Sequence, residues 1–294
     1  MRDYCLRATA GNGMIRAFVA TSKQLVDEAA RIHGTSAVAA AALGRTLTAA
    51  AIMGLTLGND ENSITLSIRG DGVLGGALAV SDGLGRVRGY VHHPHVDVED
   101  RPDGKLNVGG AIGAGQLTVA MDLGLKETYT GTVELITGEI AEDLAHYYLT
   151  SEQTPSVISL GVLVDCDLSV KQAGGFFLQL MPGYDDEVVT KLEEHIVNFP
   201  PISRLLNEEK TPEDILGLLL TPFEYEITEK HNIEFYCNCD RQRVERALVS
   251  IGADEIGQIL EEQGQAEINC HFCSENYVFD RTELEKILEN LGTK

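Results

Sequence analysis

Basic side chains are scarce in this chain. Lys and Arg number 23 against 45 Asp and Glu, a formal charge of -22, and no dense basic run offsets it. Nucleic-acid binding needs a positive surface, so that class of partner is set aside. The first residues, MRDYCLRATAGNG, lack the uninterrupted apolar core of a signal peptide, which points to the cytoplasm. The most apolar run, Ser36 to Leu57, carries Arg45 at its middle. A charge there costs ~2.5–3.5 kcal/mol on insertion scales, and much of the run is Ala, so a buried helix of a soluble core is expected and no membrane span. No Walker-type motif is present, and no Ser/His/Asp arrangement stands out. Cysteine is sparse too: Cys5 and Cys166 are lone thiols in strand-like settings, expected to be buried small hydrophobes. The other four lie together near the end of the chain.

With 294 residues, 44% hydrophobic and 23% charged, the chain suits one large soluble domain plus a small one. Residues 1–180 alternate β-like and helical patterns. TSKQLVDEAARIH places Leu25, Ala29 and Ile32 on one helical face, and the Ala-rich stretch after Gly34 reads as a second helix. SITLSIRGDG alternates Ile64, Leu66 and Ile68 with polar residues, a half-buried strand. Further strands are read in GGALAVSDGLGRVRGYV, QLTVAMDLG, ETYTGTVELIT and SVISLGVLVDCDLSV, with a helix at EIAEDLAHYYLTSEQ. Adjacent strands joined by short glycine turns predict antiparallel meanders with helices on one side, an α+β body.

Residues 181–232 differ. DDEVVTKLEEHIVNF has Val188, Val189, Leu192, Ile196 and Phe199 at helical spacing and stops at Pro200-Pro201. TPEDILGLLL reads as a short helix capped by Thr211 with Pro212 at its first position. Such short helices are marginal alone, so this helical linker must pack on something. Residues 233–294 form a small terminal α/β unit. It has helices from Asp240 to Gly252, from Ala253 to Gly264 and after an Asp280/Glu283 capping box, and short strands AEINC and NYVF. About 60 residues bury only a modest core, so a metal staple is expected there.

Cys237/Cys239 and Cys270/Cys273 are two close pairs separated by residues 240–269. In the cytosol, clustered thiols bind metal or switch more often than they form permanent staples. Zinc takes tetrahedral sulfur ligands, two from each tight turn, so one Zn²⁺ per chain on four thiolates is the reading. The spacing is not that of the usual zinc ribbon, since the gap exceeds ~15–20 residues. Four thiolates leave a local charge of -2, for which Arg241, Arg243 and backbone amides are candidate donors. His271 and His231 are not needed as ligands. Zinc thiolates are also oxidisable, and a disulfide within each pair would expel the ion and unfold so small a unit. A permanent structural zinc is the alternative, and the chemistry of the residues leaves both open.

Other signals are declined. Gly70, Gly72 and Gly75 match GxGxxG, but the β-like GALAV that follows predicts a hairpin turn. His92, His93 and His95 read as a surface turn. Four thiolates leave no open position for water, so a zinc enzyme is not expected.

The Cys-x-Cys and Cys-x-x-Cys pairs with their spacing, together with GRVRGYV, GAGQLTVAMDLG, YTGTVELITGEIAEDLAHYYLTSEQTPS and CHFCSENYVFD, resemble the heat shock protein 33 family over essentially the whole chain. That resemblance implies a cytosolic, redox-regulated, ATP-independent holdase. Reduced, Cys237, Cys239, Cys270 and Cys273 would hold zinc in an inactive protein. Oxidation would form Cys237–Cys239 and Cys270–Cys273 disulfides and release the metal. The terminal unit and the linker would then unfold, exposing apolar surface to unfolding client proteins, commonly as a homodimer. The competing reading is a constitutive zinc-binding adaptor.

Overall fold

Period-two alternation in Ser63–Gly70 and helical periodicity in Lys23–His33 set the two kinds of element from which the chain is built. The computed structural model describes residues 2–292. In chain order the elements are β1 (Tyr4–Ala10), β2 (Ile15–Thr21), α1 (Lys23–His33), α2 (Ala37–Leu55), β3 (Ser63–Gly70), β4 (Gly76–Asp82), β5 (Arg86–Val91), α3 (Val108–Ile112), β6 (Gly115–Asp122), β7 (Tyr129–Glu134), α4 (Ala141–Thr150) and β8 (Ser156–Val164). They continue with β9 (Val170–Leu180), α5 (Asp186–Val197), α6 (Ile202–Asn207), α7 (Pro212–Leu219), β10 (Tyr225–Asn232), β11 (Glu234–Phe235), α8 (Arg241–Ser250), α9 (Ala253–Glu262), β12 (Ala266–Asn269), β13 (Asn276–Phe279) and α10 (Arg281–Gly292). They fall into two compact units, 1–236 and 237–294.

The first unit holds two sheets. One runs β10-β1-β2-β9-β8 and is antiparallel throughout; the other runs β11-β5-β4-β3-β6-β7, with only β11 parallel to its neighbour. Helix α2 lies between them, against β4 and β5 on one side and β8 and β9 on the other. All of its residues except Ala37 and Arg45 are buried. It is long and apolar enough to cross a membrane, yet 94% of its most apolar window is inside the protein. Its small residues let the neighbours close in. A Cβ on Gly44 would lie 2.4 Å from Val26 Cγ1 and 2.8 Å from Val162 Cγ2. Arg45, the charge in that run, is neutralised by Glu139 Oε2 at 2.6 Å.

Helices α5, α6 and α7 cover the other face of the five-stranded sheet. Val188, Leu192, Ile202, Leu206, Ile215 and Leu216 pack there with Val19, Phe176 and Leu178. These helices therefore obtain from the sheet the burial that their length denies them. The end of the 181–232 stretch is β10, a strand that the sequence did not announce. YEITEKHN has no apolar alternation because an edge strand with both faces wet needs none; pairing with β1 holds it.

The glycine-rich residues 70–75 form the β3–β4 turn as expected, with Gly75 at φ +71°. His92, His93 and His95 lie exposed just after β5. Cys5 is buried in β1, but Cys166 is not buried. It sits in the turn from β8 to β9, where Leu168 takes φ +69° and the chain reverses. The strand-like reading through DCDLSV thus missed a turn stabilised by Asp165 and Asp167 side chains accepting from the Cys166 and Ser169 amides.

Candidate metal centre

The second unit is small. Its core comprises Val244, Leu248, Ile256, Ala266, Phe279, Leu284 and Ile287. Asp240 caps α8, its side chain accepting from the Arg243 amide at 2.8 Å. Asp280 and Glu283 form the expected capping box at the start of α10: the Glu283 amide donates to Asp280 Oδ1 at 2.9 Å and the Asp280 amide to Glu283 Oε2 at 3.0 Å. Strands β12 and β13 pair antiparallel, and the turn between them carries Cys270 and Cys273. That turn is closed by the Cys270 amide on Glu275 O at 2.9 Å and the Ser274 amide on Cys270 O at 2.8 Å, with Ser274 at φ +58°. Cys237 and Cys239 come from the irregular stretch before Asp240.

The four Sγ atoms gather within 4.8 Å of one another, all half-buried. Cys237 and Cys270 sulfurs are 3.8 Å apart, and Cys239 and Cys273 sulfurs 3.2 Å apart. A tetrahedral site with metal–sulfur bonds of about 2.3 Å has sulfur–sulfur edges of about 3.8 Å, so the set is sized to hold one metal ion. Among the described residues it is the one group of ligand atoms gathered in this way. No imidazole belongs to it. His271 is exposed, and His231 pairs with Glu229 at 2.8 Å in β10.

Proton affinities within the cluster are uneven. Burial first, and the neighbouring thiols next, push Cys237 up to about 11 and Cys273 further still. Burial also opposes ionisation of Cys270, but amide donation from Cys273 and Phe272 outweighs it and leaves this thiol below its ordinary value. Crowded sulfurs of one charge resist joint ionisation, and a divalent cation removes that resistance by favouring the thiolate at every position.

The expected cationic donors do not reach the sulfurs. Arg241 donates to Val278 O and to Glu283, each at 2.7 Å, and lies 4.4 Å from the centroid of Phe279. It clamps α8 to β13 and α10. Arg243 is drawn to Asp240 at 4.0 Å. A carboxylate within reach is a better partner for guanidinium than a half-buried sulfur. The side chain that does contact the cluster is Tyr277, whose hydroxyl donates to Cys239 Sγ at 3.2 Å. Losing that hydrogen bond on ionisation raises the phenol's proton affinity. The sequence held a signal for it: Tyr277 and Phe279 share a face of β13, and Phe279 is buried.

Fold and centre together define an α+β body followed by a small unit whose four thiols can hold a metal ion. The family model for the Hsp33 protein matches residues 3–280. The chain is 50% identical to the 33 kDa chaperonin of Clostridioides difficile, covering 99% of this chain and 100% of that one. It is 49% identical to the 33 kDa chaperonin of Desulforamulus reducens over the whole of both chains. The crystal structure of the 33 kDa chaperonin (heat shock protein 33 homolog) of Thermotoga maritima superposes with a TM-score of 0.92 at 36% identity, covering 100% of each chain. The chain belongs to the Hsp33 family of chaperones.

Proposed function

We propose that this protein is a redox-regulated, ATP-independent holdase of the cytoplasm, silent when reduced and active as a homodimer when oxidised. The observation that carries the reading is the gathering of Cys237, Cys239, Cys270 and Cys273 in a unit with so small a core of its own. In the reduced state these four are the ligands of one Zn²⁺, which supplies charge neutralisation to the thiolates and cross-links the Cys237 stretch to the β12–β13 turn. Tyr277 and the amides around Cys270 hold the sulfurs in place.

On oxidation, Cys237 bonds Cys239 and Cys270 bonds Cys273. Each pair of thiolates gives up two electrons to one hydrogen peroxide as its S–S bond forms; the O–O bond breaks, two protons are taken up and two waters leave, and the sulfurs no longer serve as thiolate ligands. The sulfur contacts at 3.8 and 3.2 Å join different pairs, so disulfide mapping by mass spectrometry decides between within-pair and cross-pair bonds. With the cross-link gone the terminal unit loses order. The domain division that goes with this reading is a core at 1–180, a linker at 181–232 and a switch at 233–294. The linker helices are the cover whose release exposes the apolar sheet face to unfolding clients, and α2, buried as it is, supports a soluble life for the chain.

The test follows zinc release with a colorimetric chelator alongside suppression of aggregation of a thermally unfolding client, before and after hydrogen peroxide at mildly raised temperature. Coupled release and gain of holding are expected. Oxidised protein that keeps its zinc, or never suppresses aggregation, refutes the switch.

A further inference from the structure

We propose that the open edge of β8 takes an extended segment of an unfolded polypeptide as an added strand, so that clients are held by backbone pairing as well as by apolar contact. The proposal rests on the reading of the chain as a holder of unfolded protein.

Strand β8 ends the five-stranded sheet opposite β10. Its sequence, SVISLGVLV, has no charge, and it is nine residues long. The other outer strands are blunted in the usual ways: β10 carries Glu226, Glu229, Lys230 and His231, β7 ends in Glu134, and β11 is two residues long. A long uncharged edge left open is what folded proteins normally avoid, because it templates pairing with another chain.

The direction of its backbone groups follows from the ladder. The Leu180 amide donates to Pro155 O at 3.0 Å, which makes that pair face inward. Hydrogen-bonded pairs alternate along an antiparallel ladder, so Val157, Ser159 and Gly161 face Leu178, Phe176 and Gly174 of β9. Ile158, Leu160 and Val162 therefore turn their N–H and C=O groups away from the sheet. None of these groups has a hydrogen-bond partner among the described residues.

A cleft of about 560 Å³ runs along that edge, lined by every residue from Ile158 to Val164. Successive residues of a strand present opposite faces, so a cavity touched by all seven lies beside the backbone rather than over one face. Those seven residues span about 20 Å, six steps at the strand rise of ~3.3 Å per residue. One wall holds Arg45 and Arg101, both paired to Glu139 at 2.6 and 3.4 Å. The other is Pro201 to Ser203, where a Cβ on Gly161 would meet Ile202 at 3.0 Å.

This geometry selects the occupant. Alternating N–H and C=O groups at strand spacing are complemented by another extended peptide backbone. Cations and acids balance within the cleft, so a segment of either charge is not repelled as it would be by the strongly acidic surface elsewhere. A second copy pairing its own β8 would bring both of its walls into the same space, whereas a single extended segment brings none.

The experiment uses the full chain, reduced and oxidised, with reduced carboxymethylated α-lactalbumin as a permanently unfolded probe. Residue-resolved hydrogen exchange is read with and without the probe, and aggregation suppression is measured in parallel. The outward amides of Ile158, Leu160 and Val162 are expected to slow by at least about tenfold with the probe, the worth of one hydrogen bond, while those of Val157, Ser159 and Gly161 stay unchanged. Ile158→Pro removes an outward N–H without touching the ladder and should weaken probe binding by about tenfold; Ile158→Ala, which keeps the N–H, should weaken it much less. If the wild type holds clients but the outward amides are unprotected, or the two variants bind alike, this inference falls and the holdase reading stands. Protection without any holding sinks the holdase reading and leaves the edge site. Protection that appears without probe and grows with protein concentration means a second copy occupies the edge, which overturns the proposal.

Discussion

Leu216→Ala should make the cover over the five-stranded sheet open without oxidation. Helix α7 is eight residues long, too short to persist by itself. It stays because Ile215, Leu216, Leu219 and Leu220 are fully buried against the sheet and its neighbouring helices. Polar anchors add to this. Thr211 and Asp214 form a capping box, and Glu213 accepts from the Tyr4 hydroxyl at 2.5 Å and from Lys230 at 3.1 Å. Truncating a buried Leu costs about 2–5 kcal/mol in lost burial and residual cavity. If α7 detaches locally, that cost falls on the local equilibrium and raises the open population by about 30- to 4000-fold, at tenfold per 1.4 kcal/mol. Hydrogen exchange of reduced, zinc-loaded protein reads this: α7 amides should quicken by that factor, α2 amides by far less, and the variant should suppress client aggregation without peroxide. Equal acceleration of α7 and α2 would refute the reasoning, because the helix would then open only when the whole unit unfolds.

Three further outcomes follow from the same geometry. Tyr277→Phe removes the hydroxyl that donates to Cys239 and should lower zinc affinity by about 10- to 100-fold in a chelator competition, with the far-UV spectrum of the zinc-loaded protein unchanged. Gly44→Ala, which in an exposed helix would stabilise by about 1 kcal/mol, should instead lower the melting temperature, since its Cβ would overlap Val26 and Val162. Burial pushes the Glu213 carboxyl up, but hydrogen bonds from Tyr4 and Lys230 outweigh it and hold it below 4.5. Its contribution is therefore complete above the unfolded value and lost as pH falls through the depressed one. Exchange protection of α7, corrected for intrinsic rates, should hold from pH 7 to about 5 and fall below about 4.5, and Glu213→Gln should flatten that step.

Local features were readable where one stretch of chain decides them. The caps at Thr211, Asp240 and Asp280 depend on a side chain reaching an amide three residues on, and all three form. The cysteine pairs announced themselves by spacing and do converge. What escaped depends on partners distant in sequence. Strand β10 exists because β1 offers it a ladder, and its polar composition hid it. Cys166 is exposed because the chain turns there rather than continuing as strand. Arg241 was matched to thiolates by proximity in sequence, but Glu283, 42 residues away, lies nearer in space.

The sequence by itself determined the protein's class: an acidic chain with a broken apolar run, an α+β pattern, and four thiols at the spacing that resembles one family. Composition and period are properties of neighbours along the chain, so they survive without coordinates. Tertiary structure alone decided which hydroxyl touches the sulfurs, which helices lie over the sheet, and which strand edge is left unpaired. Hydrogen bonds and packing act over a few ångströms between residues brought together by folding, and nothing in the linear order of SVISLGVLV says that, among the described residues, no strand lies beyond it.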